Sequence, residues 1–387
     1  IRLMEGPGPV EEDRYFVGKQ RVSHEARAFL DNRQQGGGSG PVLKSLPVPR
    51  IEEKREKLIR AEGEDGINKL RGGARALSSS LGMEKEFKRL DALIGALLST
   101  RHAGLLSTPQ GVARARGKPF DPDRILLFQD LFRELEAMPF SFMEDPNQNL
   151  TAFRNFAFFE SYFSNYIEGT EFDLPTARQI IENNQALPSR NEDSHDILGT
   201  YQLVSDPDLL SELPGSGEEL IAMLKDRHRV ILRARMDKEP GVLKTRNNRA
   251  GNTVFVAWDL VEGTLIRGYE IYQALDHPFK RAAFMLFLIN EVHPFMDGNG
   301  RVARIMMNAD LVAAGQSKIL IPTVYRDDYL GAIRKLTRRG QVDPYLRMLE
   351  VAREFSLTVC GEDMSSMQRH LERCNAFQEP TEASLSY

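Results

Sequence analysis

The sequence has few of the features that mark extracellular and membrane proteins. It has 2 cysteines, Cys360 and Cys374, among 387 residues, which excludes a disulfide framework and is typical of a reducing cytosol. The longest apolar run, residues 282–289, has eight residues, whereas a bilayer-spanning helix needs ~18–20. The chain opens on Ile-Arg-Leu-Met, with no secretory core and no initial Met, so the true start is expected to lie further upstream. We therefore expect a cytoplasmic protein with no membrane partner.

An excess of basic charge is also missing. The 51 Lys and Arg residues face 55 Asp and Glu residues, which gives a formal net charge of −4. Proteins that bind nucleic acid mainly through its phosphates need a basic surface, so no nucleic-acid partner is expected. With 41% hydrophobic and 27% charged residues, the chain has the composition of a globular protein that buries a core.

The sequence pattern divides into a weakly patterned start and a helical remainder. Residues 1–80 include the low-complexity stretch Gln34–Pro41, and the charge-rich residues 51–71 predict at most a marginal helix. We expect this region to be variable and poorly ordered. From Glu84 onward, apolar residues recur at spacings of three and four, as in the aromatic stripe of Thr151–Ile167.

One segment carries a β-strand signal instead. Val242–Lys244 and Val254–Val256 flank the turn-prone residues 247–252, which predicts a β-hairpin. Because nearly everything else follows a helical period, the predicted fold class is all-α, with a single hairpin.

The segment His293–Arg304 concentrates residues suited to a phosphate site. It joins two predicted helices, 279–291 and 302–314, and Gly298, Asn299 and Gly300 fall where the second helix begins. Free backbone N–H groups and the positive end of the helix dipole favour an anion there. Asp297 offers the kind of carboxylate that holds Mg²⁺ on a polyphosphate.

The same segment supplies a base and two cations. Arg301 and Arg304 are three residues apart, so both can reach anionic oxygens, and His293 can take a proton near neutral pH. Taken singly, each residue has an ordinary structural reading: a helix-end hydrogen bond for His293, a helix cap for Asp297, a solvated helix face for the arginines. Their combination in twelve residues favours a phosphate site with a general base.

These residues resemble the motif of the Fic family, His-Pro-Phe-x-(Asp/Glu)-Gly-Asn-Gly-Arg-x-x-Arg, at every fixed position. The likeness extends over about residues 81–349, and it implies a Fic-like helical bundle with a β-hairpin flap and an N-terminal helical subdomain. The implied domains are a variable region at 1–80, a helical region with an inhibitory helix at 81–190, the catalytic core at 191–352 and a tail at 353–387.

The resemblance implies a protein adenylyltransferase that moves AMP from ATP to a Ser, Thr or Tyr hydroxyl of a target protein. His293 would be the base, and Asp297 would bind Mg²⁺. The implied nucleotide contacts are Gly298, Asn299, Gly300, Arg301, Arg304 and, as a candidate, Tyr329. The implied target-docking flap is Thr253, Val254, Phe255 and Val256. Some members of the family transfer UMP, phosphate or phosphocholine, so ATP is the commonest case.

A second motif implies self-inhibition. Ser164-Asn165-Tyr166-Ile167-Glu168-Gly169 resembles the family's inhibitory motif, which places the chain with the members whose inhibitory helix is N-terminal, the class II type. In the family this glutamate, here Glu168, pairs with the second arginine, here Arg304. The alternative is an ordinary helix end, since so short a motif also occurs by chance.

Several alternatives stay open. Glu168 could instead position water for removal of AMP, which would make the chain a de-AMPylase or a bifunctional enzyme. A nucleotide-binding interaction module with little turnover is the alternative from another class. The target protein and the oligomeric state, a homodimer included, are left open.

Overall fold

The structure, a computed structural model, describes residues 8, 10–11, 13–15, 21–34, 45–98 and 103–387. Apart from Gln34, the predicted low-complexity stretch lies outside these residues. The described part of the chain is mainly helical with two short hairpins, so the all-α prediction is confirmed. None of the helices in these ranges is both long and apolar enough to cross a membrane. The chain forms two compact units, Ile1–Phe120 and Asp121–Tyr387, while the domain boundaries taken from the resemblance stay predictions.

The first unit is built on one long helix. Its elements are β1 (Arg14–Tyr15), β2 (Arg21–Val22), α1 (Glu25–Asp31), α2 (Val48–Ser80), α3 (Glu84–Leu97), a 3₁₀ turn at Ala103–Leu105 and α4 (Pro109–Ala115). A left-handed Gly63 (φ 71°) breaks α2 into two helical stretches. Although the sequence predicts a poorly ordered arm here, α2 buries apolar residues at helical spacing against α1 and α3, including Ile51, Ile59, Ile67 and Leu77.

The second unit holds the remaining helices. They are α5 (Pro122–Ala137), α6 (Leu150–Ile167), α7 (Leu174–Asn183), α8 (Asn191–Val204), α9 (Pro207–Leu210), α10 (Gly217–Ile231), α11 (Val261–Tyr272), α12 (Pro278–Val292), α13 (Asn299–Ala313), α14 (Arg326–Arg339), α15 (Val342–Thr358) and α16 (Met364–Arg373). Short 3₁₀ turns lie at Pro188–Arg190, Met236–Lys238, Trp258–Leu260 and Thr323–Tyr325.

Two helices show why the elements lie where they do. At the start of α6, the side chain of Asn149 accepts a hydrogen bond from the Ala152 N–H at 2.9 Å, and the chain turns away at Gly169, which has φ 88°. The aromatic stripe of α6 is buried, as predicted, through Phe153, Phe156, Phe159 and Phe163. Helix α12 is apolar on nearly every side, so it runs through the core and packs along α13.

The β-hairpin lies later in the chain than the sequence predicts. Strand β3 (Arg249–Ala250) pairs antiparallel with β4 (Thr253–Val254), so the prediction of a strand at 242–244 is wrong. The physical reason is that the Lys244 N–H donates to the carbonyl of Pro294 at 2.8 Å instead of to a strand partner. The β1–β2 pairing is a second hairpin that the sequence analysis did not predict.

Candidate active site

The segment 293–304 forms a tight loop between α12 and α13. His293 ends α12 in the left-handed region (φ 51°, ψ 61°), and Gly298 (φ 70°) precedes α13 in the same region. The Asn299 side chain closes the loop, because its Oδ1 accepts from the Phe295 N–H and its Nδ2 donates to the Phe295 carbonyl, both at 2.9 Å. The side-chain amide of Asn299 is therefore used within the loop. Its backbone N–H, at the start of α13, is the group that could bind an anion.

His293 lies against the predicted flap. Its ring stacks on that of Phe255, with ring centroids 3.7 Å apart and an angle of 4° between the planes. Burial, and then the charge of Lys244, lower the pKa of His293 to about 4. The imidazole is therefore neutral at neutral pH, which is the state that a general base requires.

Asp297 stands beside the first turn of α13. Its Oδ1 accepts a hydrogen bond from the Gly298 N–H at 2.7 Å, and the carboxylate enters no ion pair within the described residues. In those ranges no cluster of three or more His, Cys, Asp or Glu side chains could hold a metal ion. A single, partly exposed carboxylate at a helix N-terminus fits Mg²⁺, which keeps waters and takes its other ligands from substrate phosphates.

The guanidinium of Arg304 is fixed by the end of α6. Its Nη2 donates to Glu168 Oε1 at 2.7 Å and to the Ser164 carbonyl at 2.9 Å, and its Nε donates to Ser164 Oγ at 2.9 Å. The Arg304 side chain is 6% exposed and that of Glu168 is 25% exposed. Burial lowers the pKa of Arg304, but Glu168 and Tyr329 together outweigh this effect, so the pKa is raised.

The Glu168 carboxylate also lies against the start of α13. A Cβ added at Gly300 would be 2.2 Å from Glu168 Oε1, so the carboxylate uses the space that a side chain at this position would fill. A carboxylate here is an anion held at a helix N-terminus beside an arginine, which are the same interactions that a phosphate would make. Of the predicted residues, the structure thus brings together Glu168, Ser164, Gly300 and Arg304.

Arg301 has partners that the sequence analysis missed. Its Nη1 forms an ion pair with Asp196 Oδ2 at 2.7 Å and donates to Asn165 Oδ1 at 3.3 Å. The same Asp196 oxygen pairs with Arg235 Nε at 2.8 Å. Asp196 is 1% exposed and belongs to α8, where no motif distinguishes it from an ordinary helical carboxylate.

The two remaining predicted groups differ in their exposure. Tyr329 is 1% exposed, and the centre of the Arg304 guanidinium lies 5.8 Å from its ring centroid. In the predicted flap, Val254 is 61% exposed, whereas Thr253 and Val256 are buried and Phe255 covers His293. Val254 is therefore the most exposed of these four residues, and Phe255 is partly exposed.

His228 is another residue that the sequence analysis missed. Its Nδ1 accepts from the Gly241 N–H at 2.8 Å, its Nε2 lies 3.1 Å from the Asp297 carbonyl, and its ring stacks on Phe295 with centroids 3.9 Å apart. Because Nδ1 accepts, Nε2 carries the proton and donates it to Asp297. Burial lowers the pKa of His228 to about 4, which keeps this neutral form.

Comparison with known proteins agrees with this geometry. Residues 220–311 match the model of the Fic/DOC family. A protein named Protein adenylyltransferase Fic from Drosophila willistoni is 29% identical over 231 residues, which cover 56% of this chain and 44% of that protein. Its namesake from Drosophila persimilis is 29% identical over 209 residues, or 51% of this chain and 39% of that protein. The chain therefore spans less than half the length of these relatives.

Two solved structures are also similar to this chain. A Fic domain containing signaling protein from Bacteroides thetaiotaomicron has 17% identity and a TM-score of 0.48, covering 63% of this chain and 97% of that one. Fic-1 from C. elegans has 19% identity and a TM-score of 0.44, covering 84% and 97%. On the sequence match and the motif at 293–304, residues 220–311 of this chain are similar to the domain that defines the Fic/DOC family.

Proposed function

We propose that the chain is a protein adenylyltransferase, which transfers AMP from ATP to a Ser, Thr or Tyr hydroxyl of a target protein. One observation supports the proposal most. A single segment contains both the neutral imidazole of His293 and the helix start at Gly300, against which the Glu168 carboxylate lies. Similarity to proteins named adenylyltransferases supports the same reaction. A module that only binds nucleotide would have no use for the base.

In the proposed reaction, His293 takes the proton of the target hydroxyl as its oxygen attacks the α-phosphorus of ATP. A bond forms from that oxygen to the α-phosphorus, the bond from the α-phosphorus to the bridging oxygen breaks, and pyrophosphate leaves. Arg301 and Arg304 offset the charge of the β- and γ-phosphates, and the N–H groups of residues 298–300 meet the phosphate oxygens. Positioning and charge stabilisation account for most of the rate enhancement in such transfers.

Asp297 is the residue that would hold Mg²⁺. The ion, when bound there, would neutralise charge that develops as pyrophosphate leaves. The backbone carbonyl of Asp297 accepts a hydrogen bond from His228, and this bond fixes the main chain of the residue. Asp297 itself stays partly exposed. The adenine pocket stays a proposal, with Tyr329 as its candidate.

We further propose that the chain is inhibited by its own Glu168. The carboxylate would lie where the third phosphate of ATP would otherwise reach Arg304, and Arg304 is held in this pair by two more hydrogen bonds, which it donates to Ser164. ATP would then bind with its γ-phosphate displaced and its α-phosphorus out of line with the incoming hydroxyl.

The experiment that tests the function is incubation of the chain with α-³²P-labelled ATP and Mg²⁺. Wild type, Glu168→Gly and Glu168→Gly with His293→Ala are compared for label on protein, alone and with candidate targets. Label that appears with Glu168→Gly and disappears with His293→Ala supports transfer. ATP binding without label in any variant would favour the binding module instead.

Removal of AMP is the second candidate function. It is favoured by one observation: the charge of Glu168 raises the pKa of the His293 imidazole, so the carboxylate acts on the base of the proposed reaction. Release of labelled AMP from a modified target by wild type, and not by Glu168→Gly, would identify this activity.

A further inference from the structure

A buried lysine lies directly beneath the catalytic loop. Lys244 is 2% exposed, and its Nζ donates to the Val292 carbonyl at 3.2 Å and to Asn248 Oδ1 at 2.8 Å. Its backbone N–H donates to the Pro294 carbonyl at 2.8 Å. No carboxylate pairs with Lys244 among the ion pairs of the described residues, so its charge is stabilised by carbonyl oxygens alone.

These contacts surround His293. The carbonyls of residues 292 and 294 flank the histidine in the chain, and Lys244 bonds both of them. The first carbonyl belongs to the last turn of α12, where the negative end of the helix dipole favours a cation. Two such bonds hold the left-handed conformation of His293 (φ 51°), which is uncommon for a residue with a side chain.

We propose that Lys244 is a positioning residue that fixes His293 through both neighbouring carbonyls and links this base to the flap. The proposal deepens the transferase function above and rests on it. Lys244 does not touch the reacting atoms; it acts through the orientation and the charge state of His293.

The link to the flap passes through Asn248. Its Oδ1 accepts from Lys244, its Nδ2 donates to the Phe295 carbonyl at 2.9 Å, and strand β3 begins at the next residue. On the other strand, Phe255 follows β4 and stacks on the imidazole. A target that moves the flap would therefore move the supports of the base, so docking and base alignment are coupled.

The charge of Lys244 also acts on the base. Burial, with the nearby Arg124, lowers the pKa of Lys244 to about 7, so the amine is protonated in the acidic range in which His293 titrates. The charged groups that act on His293 are Lys244, which lowers its pKa, and Glu168 and Asp297, which raise it. Removal of the ammonium leaves the two carboxylates unopposed, so the pKa of His293 is expected to rise.

The test compares Lys244→Met with its parent in the Glu168→Gly background. We expect kcat for labelling to fall roughly 10–100-fold, because a displacement of about 1 Å in a catalytic group costs ~10²-fold. KM for ATP is expected to stay within about twofold, since the lysine touches no predicted phosphate contact. An NMR titration of the His293 Cε1–H signal, assigned by its loss in His293→Ala, should give a higher pKa than in the parent.

The matched control is Lys335→Met, which removes an exposed lysine of α14 and should change neither kcat nor the His293 titration. The proposal would be overturned if Lys244→Met left both kcat and the His293 pKa unchanged. It would also be overturned if the variant raised KM for ATP and left kcat unchanged. If Lys244→Met does not fold, Asn248→Ala is tested instead. An unchanged kcat in Asn248→Ala would refute the coupling between the flap and His293.

Failure of this proposal and failure of the transferase function are distinguishable. If the Glu168→Gly parent transfers no label, the function fails. The NMR titration needs no activity, and it still decides whether Lys244 controls the charge state of His293.

Discussion

Arg304 donates a hydrogen bond from Nη2 to Glu168 Oε1 at 2.7 Å, and this contact joins the end of α6 to the first turns of α13. Because Gly300 leaves room for the carboxylate, Glu168 pairs with the arginine while it lies against the start of α13. A nucleotide that needs Arg304 must therefore compete with an interaction that is already formed inside the chain.

Replacing Glu168 with Gly should raise labelling of the chain by α-labelled ATP at least ~10-fold. The reason is that a charge-assisted hydrogen bond is worth about 1.5–3 kcal/mol, and 1.4 kcal/mol corresponds to a factor of ten. Glu171→Gly removes an exposed carboxylate three residues away and serves as the control. Equal labelling of wild type and Glu168→Gly would exclude inhibition by this residue.

Replacing His293 with Ala in the Glu168→Gly background should reduce labelling by ~10²–10⁴-fold, the usual contribution of a general base. ATP binding, followed by calorimetry, should persist because the phosphate contacts are intact. A variant that binds ATP normally and still labels at the parent's rate would show that His293 is not the base.

The pH dependence of transfer follows from the lowered pKa of His293. Since burial and Lys244 lower this pKa from 6.5 to about 4, the imidazole stays neutral and competent well below pH 6. The acid limb of kcat/KM for the Glu168→Gly variant should therefore have its midpoint nearer 4 than 6.5. A midpoint at 6.5 would mean that His293 is solvated in the free enzyme.

Asp196 should be needed to hold Arg301. Its oxygen pairs with Arg301 at 2.7 Å and with Arg235 at 2.8 Å, so Asp196→Ala leaves two arginines without their shared carboxylate. Loss of one partner of a buried pair destabilises by about 3–5 kcal/mol. The single tryptophan, Trp258, belongs to the second unit, and its fluorescence in a urea titration would report that loss.

A milder substitution of Asp196 tests its role in positioning Arg301 without a large loss of folding stability. Asp196→Asn keeps the shape of the side chain but not its charge, so we expect the ATP dissociation constant to rise by roughly tenfold, about 1.4 kcal/mol, while the fold survives. Asp193→Asn, which alters another partner of Arg235 but not Arg301, is the matched control. Equal ATP affinity in Asp196→Asn and wild type would remove Asp196 from the nucleotide site.

The C-terminal residues should support α6, the proposed inhibitory helix. Tyr166 of α6 donates its hydroxyl to Glu379, and the ring of Phe377 lies 5.0 Å from that of Phe163. Tyr166→Phe in otherwise wild-type chain should raise labelling by a few-fold, because a lost hydrogen bond to a charged group costs about 1.5–3 kcal/mol and only part of this reaches Glu168. In Glu168→Gly the same change should have no further effect, and an equal effect in both backgrounds would contradict the prediction.

The sequence predicts the part of the site that consecutive residues form. The residues from His293 to Arg304 are consecutive and include a helix start, so their chemistry is visible in the sequence. The pairing of Glu168 with Arg304, implied by the resemblance to the Fic family, is present in the structure. Asp196, His228 and Lys244 reach the loop only through tertiary packing, and no spacing in the sequence marks them. The sequence predicts a strand at Lys244 for the same reason, since the bond from its N–H to the Pro294 carbonyl is a tertiary contact.

The long helix α2 was underestimated for a different reason. Its glycines and its many charges predict poor order, but Ile51, Ile59 and Ile67 are buried in the apolar cluster that α2 shares with α1 and α3. Burial of an amphipathic face contributes more to a helix than intrinsic propensity does. Propensity alone therefore underestimates a helix that a neighbouring helix covers.

Stability of the second unit should fall as the pH drops below 6.5, and His228 is expected to be one cause. Its pKa is about 4 in the folded chain and 6.5 when unfolded, so between these values the unfolded chain binds the proton first. The stabilisation is complete above about pH 6.5 and is lost as the pH falls towards 4, by up to ~1.4 kcal/mol per pH unit. His228→Gln should make the free energy of unfolding, followed by Trp258 fluorescence, less steep over this range. An unchanged slope would show that His228 has the same pKa in the folded and the unfolded chain, and so contributes nothing to the pH dependence of stability.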